Sequence, residues 1–201
     1  MIERQTMPKN MFTFNGYLNE NPEVQKGDIL LAEPFLADPN FERSVVLMCE
    51  SQENGAFGLV FNRPAKVRIE DNDNIFLEEN PLYVGGPVEQ NTLHFIHTFD
   101  FLENSIELKD GVYWSGNYEQ LKALHAQGKI HDGNCRFFVG YSGWGNEQLK
   151  NEIDQNSWVI ARTNLQKLFT IEPEKLWKDI LKSMGQKYEV LSNYPKDPRL
   201  N

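Results

Sequence analysis

Short apolar runs separated by turn residues dominate the chain between Gly27 and Trp114. Runs of this length, rich in Val, Ile, Leu and aromatic residues, are typical of β-strands. The segment 45–48, Val-Val-Leu-Met, has no polar face, which predicts a strand that is covered on both sides. The predicted strands of this region are 28–32, 44–49, 58–61, 82–84, 92–98, 105–108 and 112–114, and a further strand is expected at 158–161.

Helical spacing of the apolar residues replaces this pattern in three places further along the chain. The first helix is expected after Asn117, a residue type that favours helix N-termini, and it should end at Gly128. The second follows Gly145, and the third begins at Pro173 and ends at Gly185. Strands outnumber helices and mostly follow one another, so the pattern predicts an α+β fold.

The glycine-rich run 135–149 predicts a strand, a glycine turn at 140–145 and then a helix. Its segment Gly-Tyr-Ser-Gly-Trp is similar to the G-x-S-x-G turn that exposes a nucleophilic serine, but Trp144 replaces the last glycine. All four histidines precede Ser142, whereas the hydrolase fold with that turn places its histidine afterwards. Gln148 likewise replaces the last glycine of a G-x-G-x-x-G nucleotide motif. A hydrolase or transferase that uses Ser142 with a nearby histidine stays as an alternative.

Composition and charge narrow the classes of function. The chain has 201 residues, of which 40% are hydrophobic, and this is enough for a continuous core. Its net charge of -9 repels phosphate backbones, which disfavours non-specific binding to nucleic acids. No apolar run approaches the roughly 20 residues that span a bilayer, and no signal-peptide pattern is present, so we expect a cytoplasmic protein. Cys49 and Cys135 lie in predicted buried strands and are expected to be reduced thiols.

Metal and cofactor motifs are not matched. His94 and His97 lie in a predicted strand, where a spacing of three residues places them on opposite faces. The acidic stretch 70–74 is similar to a calcium loop, but Phe76 stands where such a loop has glycine and Leu82 where it has its last glutamate. We therefore predict neither a metal site nor a cofactor.

Five motifs, in this order and spacing, together resemble the YqgE/AlgH family. They are Gly-Asp-Ile-Leu-Leu-Ala-Glu-Pro at 27–34, Phe-Glu-Arg-Ser-Val-Val-Leu at 41–47, Gly-Ala-Phe-Gly-Leu-Val-Phe-Asn-Arg-Pro at 55–64, Gly-Gly-Pro-Val at 85–88 and Gly-Tyr-Ser-Gly-Trp-Gly at 140–145. The ending Asp-Pro-Arg-Leu-Asn at 197–201 is also similar to that of the family. The resemblance covers residues 27–201, and residues 1–26 are interpreted as an N-terminal tail or appended segment.

The resemblance implies a single α+β domain with a branched, partly barrel-like mixed β-sheet surrounded by helices. It implies no catalytic residues, because the activity of the family is not established. One bacterial member of the family is described as a regulator of alginate gene transcription. The net charge of -9 argues against regulation by direct contact with DNA.

We therefore predict a non-enzymatic cytoplasmic binding or regulatory protein, with the Asn-Arg-Pro, Gly-Gly-Pro and glycine-rich turns forming a groove. The expected partner is a small anion, a peptide or a protein. The predicted ligand-binding residues are Arg43, Asn62, Arg63, Gly85, Gly86, Tyr141, Ser142, Trp144 and Gln148. Trp144 is expected to anchor the glycine-rich segment, and Arg63 either binds a ligand or forms an internal salt bridge.

Overall fold

A computed structural model of the protein describes residues 23–66 and 80–195. In this part of the chain, nine strands, four α-helices and one 3-10 helix form a single α+β domain. The strands are β1 (Ile29–Ala32), β2 (Val45–Gln52), β3 (Gly55–Val60), β4 (Leu82–Val84), β5 (Val88–His97), β6 (Ile106–Lys109), β7 (Val112–Trp114), β8 (Cys135–Gly145) and β9 (Trp158–Ala161). The helices are α1 (Tyr118–Ala126), α2 (Gln148–Asp154), α3 (Pro173–Ser183) and α4 (Gln186–Ser192), with the 3-10 helix at Leu165–Phe169.

The sheet has the strand order β6-β7-β5-β8-β3-β2-β1-β9 and branches at β8. The first half of β8 pairs with β5 on one side and, in parallel, with β4 on the other. Its second half pairs antiparallel with β3, at Ser142–Gly145. The predicted branched, mixed sheet is confirmed, and β8 connects the two branches.

The expected glycine turn at 140–145 is wrong, because these residues continue β8 to Gly145. Gly140 has a φ of +65°, which a glycine adopts without the steric cost of a β-carbon. Phe138 before it and Tyr141 after it pack into the same core cluster, although they are three residues apart. A regular strand would place them on opposite faces, so Gly140 inserts one extra residue and reverses the alternation.

The core lies on both faces of the sheet. One face packs against the 3-10 helix and α3, in a core cluster that includes Phe61, Phe138 and Trp177. The other face carries one cluster under α2 and a second under α1. Residues 45–48 alternate between the two faces and are fully buried, which confirms the prediction from their continuous apolar run.

The sheet is strongly curled without closing. The rings of Phe57 on β3 and Trp114 on β7 lie 5.0 Å apart, although β8 and β5 separate these strands. Three strand spacings in a flat sheet would span about 14 Å, so the contact requires curvature. Among the described strands, β6 and β9 form the two ends of the sheet and do not pair with each other. None of the described helices is both long enough and apolar enough to cross a bilayer.

The predicted helix cap at Asn117 and the predicted free thiols are present in the structure. Asn117 caps α1, since its side chain accepts hydrogen bonds from the backbone N–H groups of Glu119 and Gln120. Cys49 and Cys135 are buried and unpaired, as expected, and burial raises the pKa of both thiols. Most of the predicted tail, the acidic stretch 70–74 and the C-terminal motif lie outside the described residues.

Candidate functional site

Asn62 and Arg63 hold the loop between β1 and β2 in place. The Asn62 side-chain oxygen accepts a hydrogen bond from the N–H of Val45 at 2.8 Å, and its amide nitrogen donates to the Arg43 carbonyl at 3.0 Å. The Arg63 guanidinium donates to the carbonyl of Asn40. The contact of Arg63 is thus internal, but its partner is a backbone carbonyl rather than the acidic residue that we considered.

Arg43 links the same loop to the C-terminal helices. Its backbone is left-handed, with a φ of 51°, and its guanidinium lies 5.0 Å from the centre of the Trp177 ring. The side chain also donates a hydrogen bond to the Tyr194 carbonyl. Arg43 Nε is buried and has no hydrogen-bond partner within the described residues. This arginine therefore packs as part of the scaffold and is only partly exposed.

Gly85, Gly86 and Ser142 form a junction where backbones from three segments touch. The Gly85 carbonyl accepts hydrogen bonds from the Val60 N–H at 2.8 Å and from the Ser142 hydroxyl at 3.1 Å. A β-carbon on Gly85 would lie 2.3 Å from the Gly140 carbonyl oxygen, and one on Gly86 would lie 2.2 Å from that of Tyr141. These glycines therefore allow backbone to pack on backbone, and Ser142 is fully buried between them.

Among the described residues, Ser142 forms no hydrogen bond with a histidine. Its hydroxyl donates to a backbone carbonyl, and the hydrogen bonds of His94, His97 and His131 within the described residues go to groups other than Ser142. A nucleophilic serine needs a base within hydrogen-bond reach. The alternative of a hydrolase or transferase based on Ser142 gains no support from this arrangement.

Trp144 and Gln148 meet at Glu152 on the side of the sheet that α2 covers. One carboxylate oxygen of Glu152 accepts hydrogen bonds from the indole N–H groups of Trp144 and Trp158, both at 2.8 Å. The other oxygen accepts from the Gln148 amide at 2.9 Å. Trp144 is 6% exposed and packs in the core, so its predicted role as an anchor agrees with its placement.

Tyr141 lies on the opposite face of the sheet from Trp144, so these two predicted residues do not line one groove. It belongs to a group of four half-buried rings from four strands, which we call the aromatic cluster: Phe57, His94, Trp114 and Tyr141. The centre of the Phe57 ring lies 5.0 Å from those of Trp114 and Tyr141 and 5.3 Å from that of His94. Burial lowers the pKa of His94, which favours the neutral imidazole at neutral pH.

A cleft of about 600 Å³ opens between the β2–β3 hairpin and α2, and we call it the hairpin cleft. Val24, Ala56, Leu149 and Ile153 form its apolar floor. Its polar lining consists mainly of charged side chains: Glu23, Glu53, Glu147, Lys150 and Asp154. Sequence reasoning did not identify this cleft, because its walls come from a hairpin and a helix about 100 residues apart.

The buried ion pair of Arg136 is a second feature that the sequence analysis did not identify. It is 1% exposed, forms a 3.1 Å ion pair with Asp132 and lies 4.8 Å from the centre of the Phe61 ring. Asp132 also accepts a hydrogen bond from the Tyr83 hydroxyl at 2.9 Å. The sequence does contain a sign of this ion pair, because Arg136 lies inside the apolar run 135–139 and a buried charge must be paired.

Comparisons with known proteins identify relatives over most of the chain. The family model described as AlgH-like matches residues 29–189. A UPF0301 protein from Cytophaga hutchinsonii is 47% identical over 182 residues, which cover 89% of this chain and 100% of the relative. A UPF0301 protein from Chlorobium limicola is 40% identical over 186 residues, with 92% and 100% covered.

Two solved structures share the fold. The solution structure of the AlgH protein from Pseudomonas aeruginosa has a TM-score of 0.68 and 26% identity, and the match covers 87% of this chain and 96% of that one. A crystal structure of a Corynebacterium diphtheriae protein has a TM-score of 0.70 and 22% identity, with 86% and 93% covered. The names of these relatives state no biochemical activity, whereas the matches in sequence and structure extend over nearly the whole domain. The chain belongs to the AlgH-like family, also known as YqgE/AlgH.

Proposed function

We propose that this protein is a non-enzymatic, cytoplasmic regulatory protein that binds a basic peptide segment of a protein partner in the hairpin cleft. The observation that carries the proposal is the combination of an apolar floor with a carboxylate-rich rim in a cleft of about 600 Å³. That volume lies within the range of about 300–1,000 Å³ that is usual for ligand sites. The glycine-rich motifs then serve to build the sheet that supports the cleft.

The charges of the rim support a positively charged ligand. Glu53 and Asp154 are exposed and lie on opposite walls of the cleft, one on the hairpin and one on α2. Among the described residues of the lining, the one basic residue, Lys150, is paired with Glu147 at 3.4 Å. Carboxylates that face each other across a concave site attract cations and repel anions. The small anion that we considered from the sequence is therefore not the ligand that we propose here.

The apolar floor supports a ligand that also carries hydrophobic side chains. Leu149 and Ile153 are one helical turn apart and present their side chains to the same cleft. A peptide can place an apolar residue on this floor while its Lys or Arg residues reach the rim, in the way that amphipathic segments bind grooves. A regulatory effect would then follow from contact with a protein partner, which the net charge of -9 favours over contact with DNA.

Fluorescence anisotropy with two labelled peptides tests this function. One peptide alternates Lys and Leu, and its counterpart alternates Glu and Leu at the same length. We expect binding of the first peptide alone, and we expect the double variant Glu53→Gln/Asp154→Asn to weaken it about tenfold, because two favourable charge contacts are lost.

The variant Glu103→Gln/Glu107→Gln is a matched control, since it removes the same charge from exposed positions outside the cleft. Binding of both peptides with similar affinity would contradict the proposal. So would an equal loss of affinity in the two double variants, because that result would indicate attraction to the net charge rather than to the cleft.

A further inference from the structure

We propose that the aromatic cluster is a separate binding site for an uncharged, planar heteroaromatic ring such as a nucleobase in a nucleoside. The ring would stack on the exposed faces of the cluster and form hydrogen bonds with His94, Trp114 and Tyr141. This site is distinct from the hairpin cleft. Phe57 and Ala56 are consecutive residues of β3 that pack on opposite faces of the sheet, and only Ala56 lines the cleft.

The cluster offers polar atoms that are not used by the protein. Within the described residues, no hydrogen bond is formed by the Trp114 indole N–H, the Tyr141 hydroxyl or His94 Nδ1. Tyrosine and tryptophan usually have hydrogen-bond partners when they are buried. The buried side-chain polar atoms without partners in this part of the chain are Arg43 Nε and Ser44 Oγ, so the three atoms of the cluster are not fully buried.

A chain of two hydrogen bonds determines which ring nitrogen of His94 carries the proton. The Thr92 hydroxyl donates to the Glu89 carbonyl at 2.8 Å, so its oxygen is left to accept the hydrogen bond from His94 Nε2 at 3.2 Å. The Nε2–H tautomer leaves Nδ1 as an acceptor. The cluster thus presents an acceptor on His94, a donor on Trp114 and a hydroxyl on Tyr141 that can act as either.

This combination of groups matches the edge of a nucleobase, which carries donors and acceptors in the plane of an aromatic ring. Bases stack on aromatic side chains in single-stranded nucleic-acid complexes, because every base has a flat π-face. The ring centres of the packed pairs in the cluster lie 5.0–6.4 Å apart, so the rings pack on each other and leave no cage between them for an organic cation. The net charge of -9 favours a nucleoside over a nucleotide or a nucleic-acid strand.

The four tryptophan indole N–H resonances in ¹H–¹⁵N NMR spectra provide the test, with adenosine as the probe. The indole N–H groups of Trp144 and Trp158 bind Glu152, and that of Trp177 binds the Ala32 carbonyl, so they serve as internal controls. We expect adenosine to shift the Trp114 resonance in a saturable way and to leave the other three unchanged.

The variants Tyr141→Phe and His94→Gln should each weaken adenosine binding about three- to tenfold, because each removes or alters one hydrogen bond. Tyr113→Phe is the matched control, since Tyr113 neighbours Trp114 but stacks on His97 instead. The proposal is overturned if millimolar adenosine produces no saturable shift of Trp114, if Tyr113→Phe weakens binding as much as Tyr141→Phe, or if adenosine monophosphate binds more tightly than adenosine.

Discussion

At the scale of single residues, the polar side chains in the sequence motifs are largely bound to the protein itself. Asn62 uses both ends of its amide on the backbone of the β1–β2 loop, and Trp144 donates its indole N–H to Glu152. Side chains that satisfy several buried groups at once are costly to replace, because each lost partner leaves an unpaired donor or acceptor. Motif residues of this kind specify the fold before they specify a ligand.

The role of Trp144 as an anchor of the core can be tested by mutation. The substitution Trp144→Ala should lower the free energy of unfolding by about 3 kcal/mol or more, because it removes a large buried ring and leaves a cavity beside Trp158. Urea unfolding followed by far-UV circular dichroism measures the change. Trp144→Phe is the control: it keeps a ring but loses the bond to Glu152, so the expected loss is smaller. A loss below about 1 kcal/mol for Trp144→Ala would contradict the role of this residue as an anchor.

At the scale of elements, β8 organises the molecule because it pairs with three other strands. The extra residue at Gly140 reverses the faces to which the side chains in the second half of β8 point, so that Tyr141 packs on the same face as Phe138 and Trp144 packs on the other. The Gly85 corner lies against this point and contacts β3 and β8 through its backbone. The branch of the sheet therefore depends on the absence of side chains where these backbones cross.

Substitution of alanine for glycine tests this account of the junction. Gly85→Ala should destabilise the fold by about 1–3 kcal/mol or more, because the added β-carbon would meet the Gly140 carbonyl oxygen and a rigid backbone must move. Gly145→Ala is the matched control, since its β-carbon would have its nearest neighbour at 3.9 Å, on the Gln148 side chain. We expect the control to change stability by less than about 0.5 kcal/mol. Equal midpoints of thermal unfolding for the two variants would contradict this prediction.

At the scale of the whole molecule, the curled sheet creates two different surfaces on its two faces. The aromatic cluster forms where the curl brings β3 and β7 together, and the hairpin cleft forms where α2 packs beside the β2–β3 hairpin. The charge of the molecule acts on both surfaces, because a net charge of -9 favours cationic and uncharged ligands over polyanions.

The net charge also predicts the behaviour of the protein towards DNA. Binding to random duplex DNA should be undetectable at micromolar protein and near-physiological salt, because non-specific binding derives from lysine and arginine contacts with phosphates. Fluorescence anisotropy with a labelled duplex measures this, and lower salt should not restore binding. A micromolar dissociation constant that strengthens as salt is lowered would contradict the prediction and would indicate a basic surface.

The sequence alone was enough to predict the α+β class, the strands with alternating or continuous apolar residues, the cap of α1 and the family, because these depend on local spacing and on motif order. It did not reveal that 140–145 continues a strand, since glycines permit both a turn and a kinked strand and only the pairing with β3 and β5 selects between them. It indicated Tyr141 but not its partners Phe57, His94 and Trp114, which come from three other strands. Only the tertiary structure could bring these rings together, because the curl of the sheet results from pairing and packing between residues far apart in the chain.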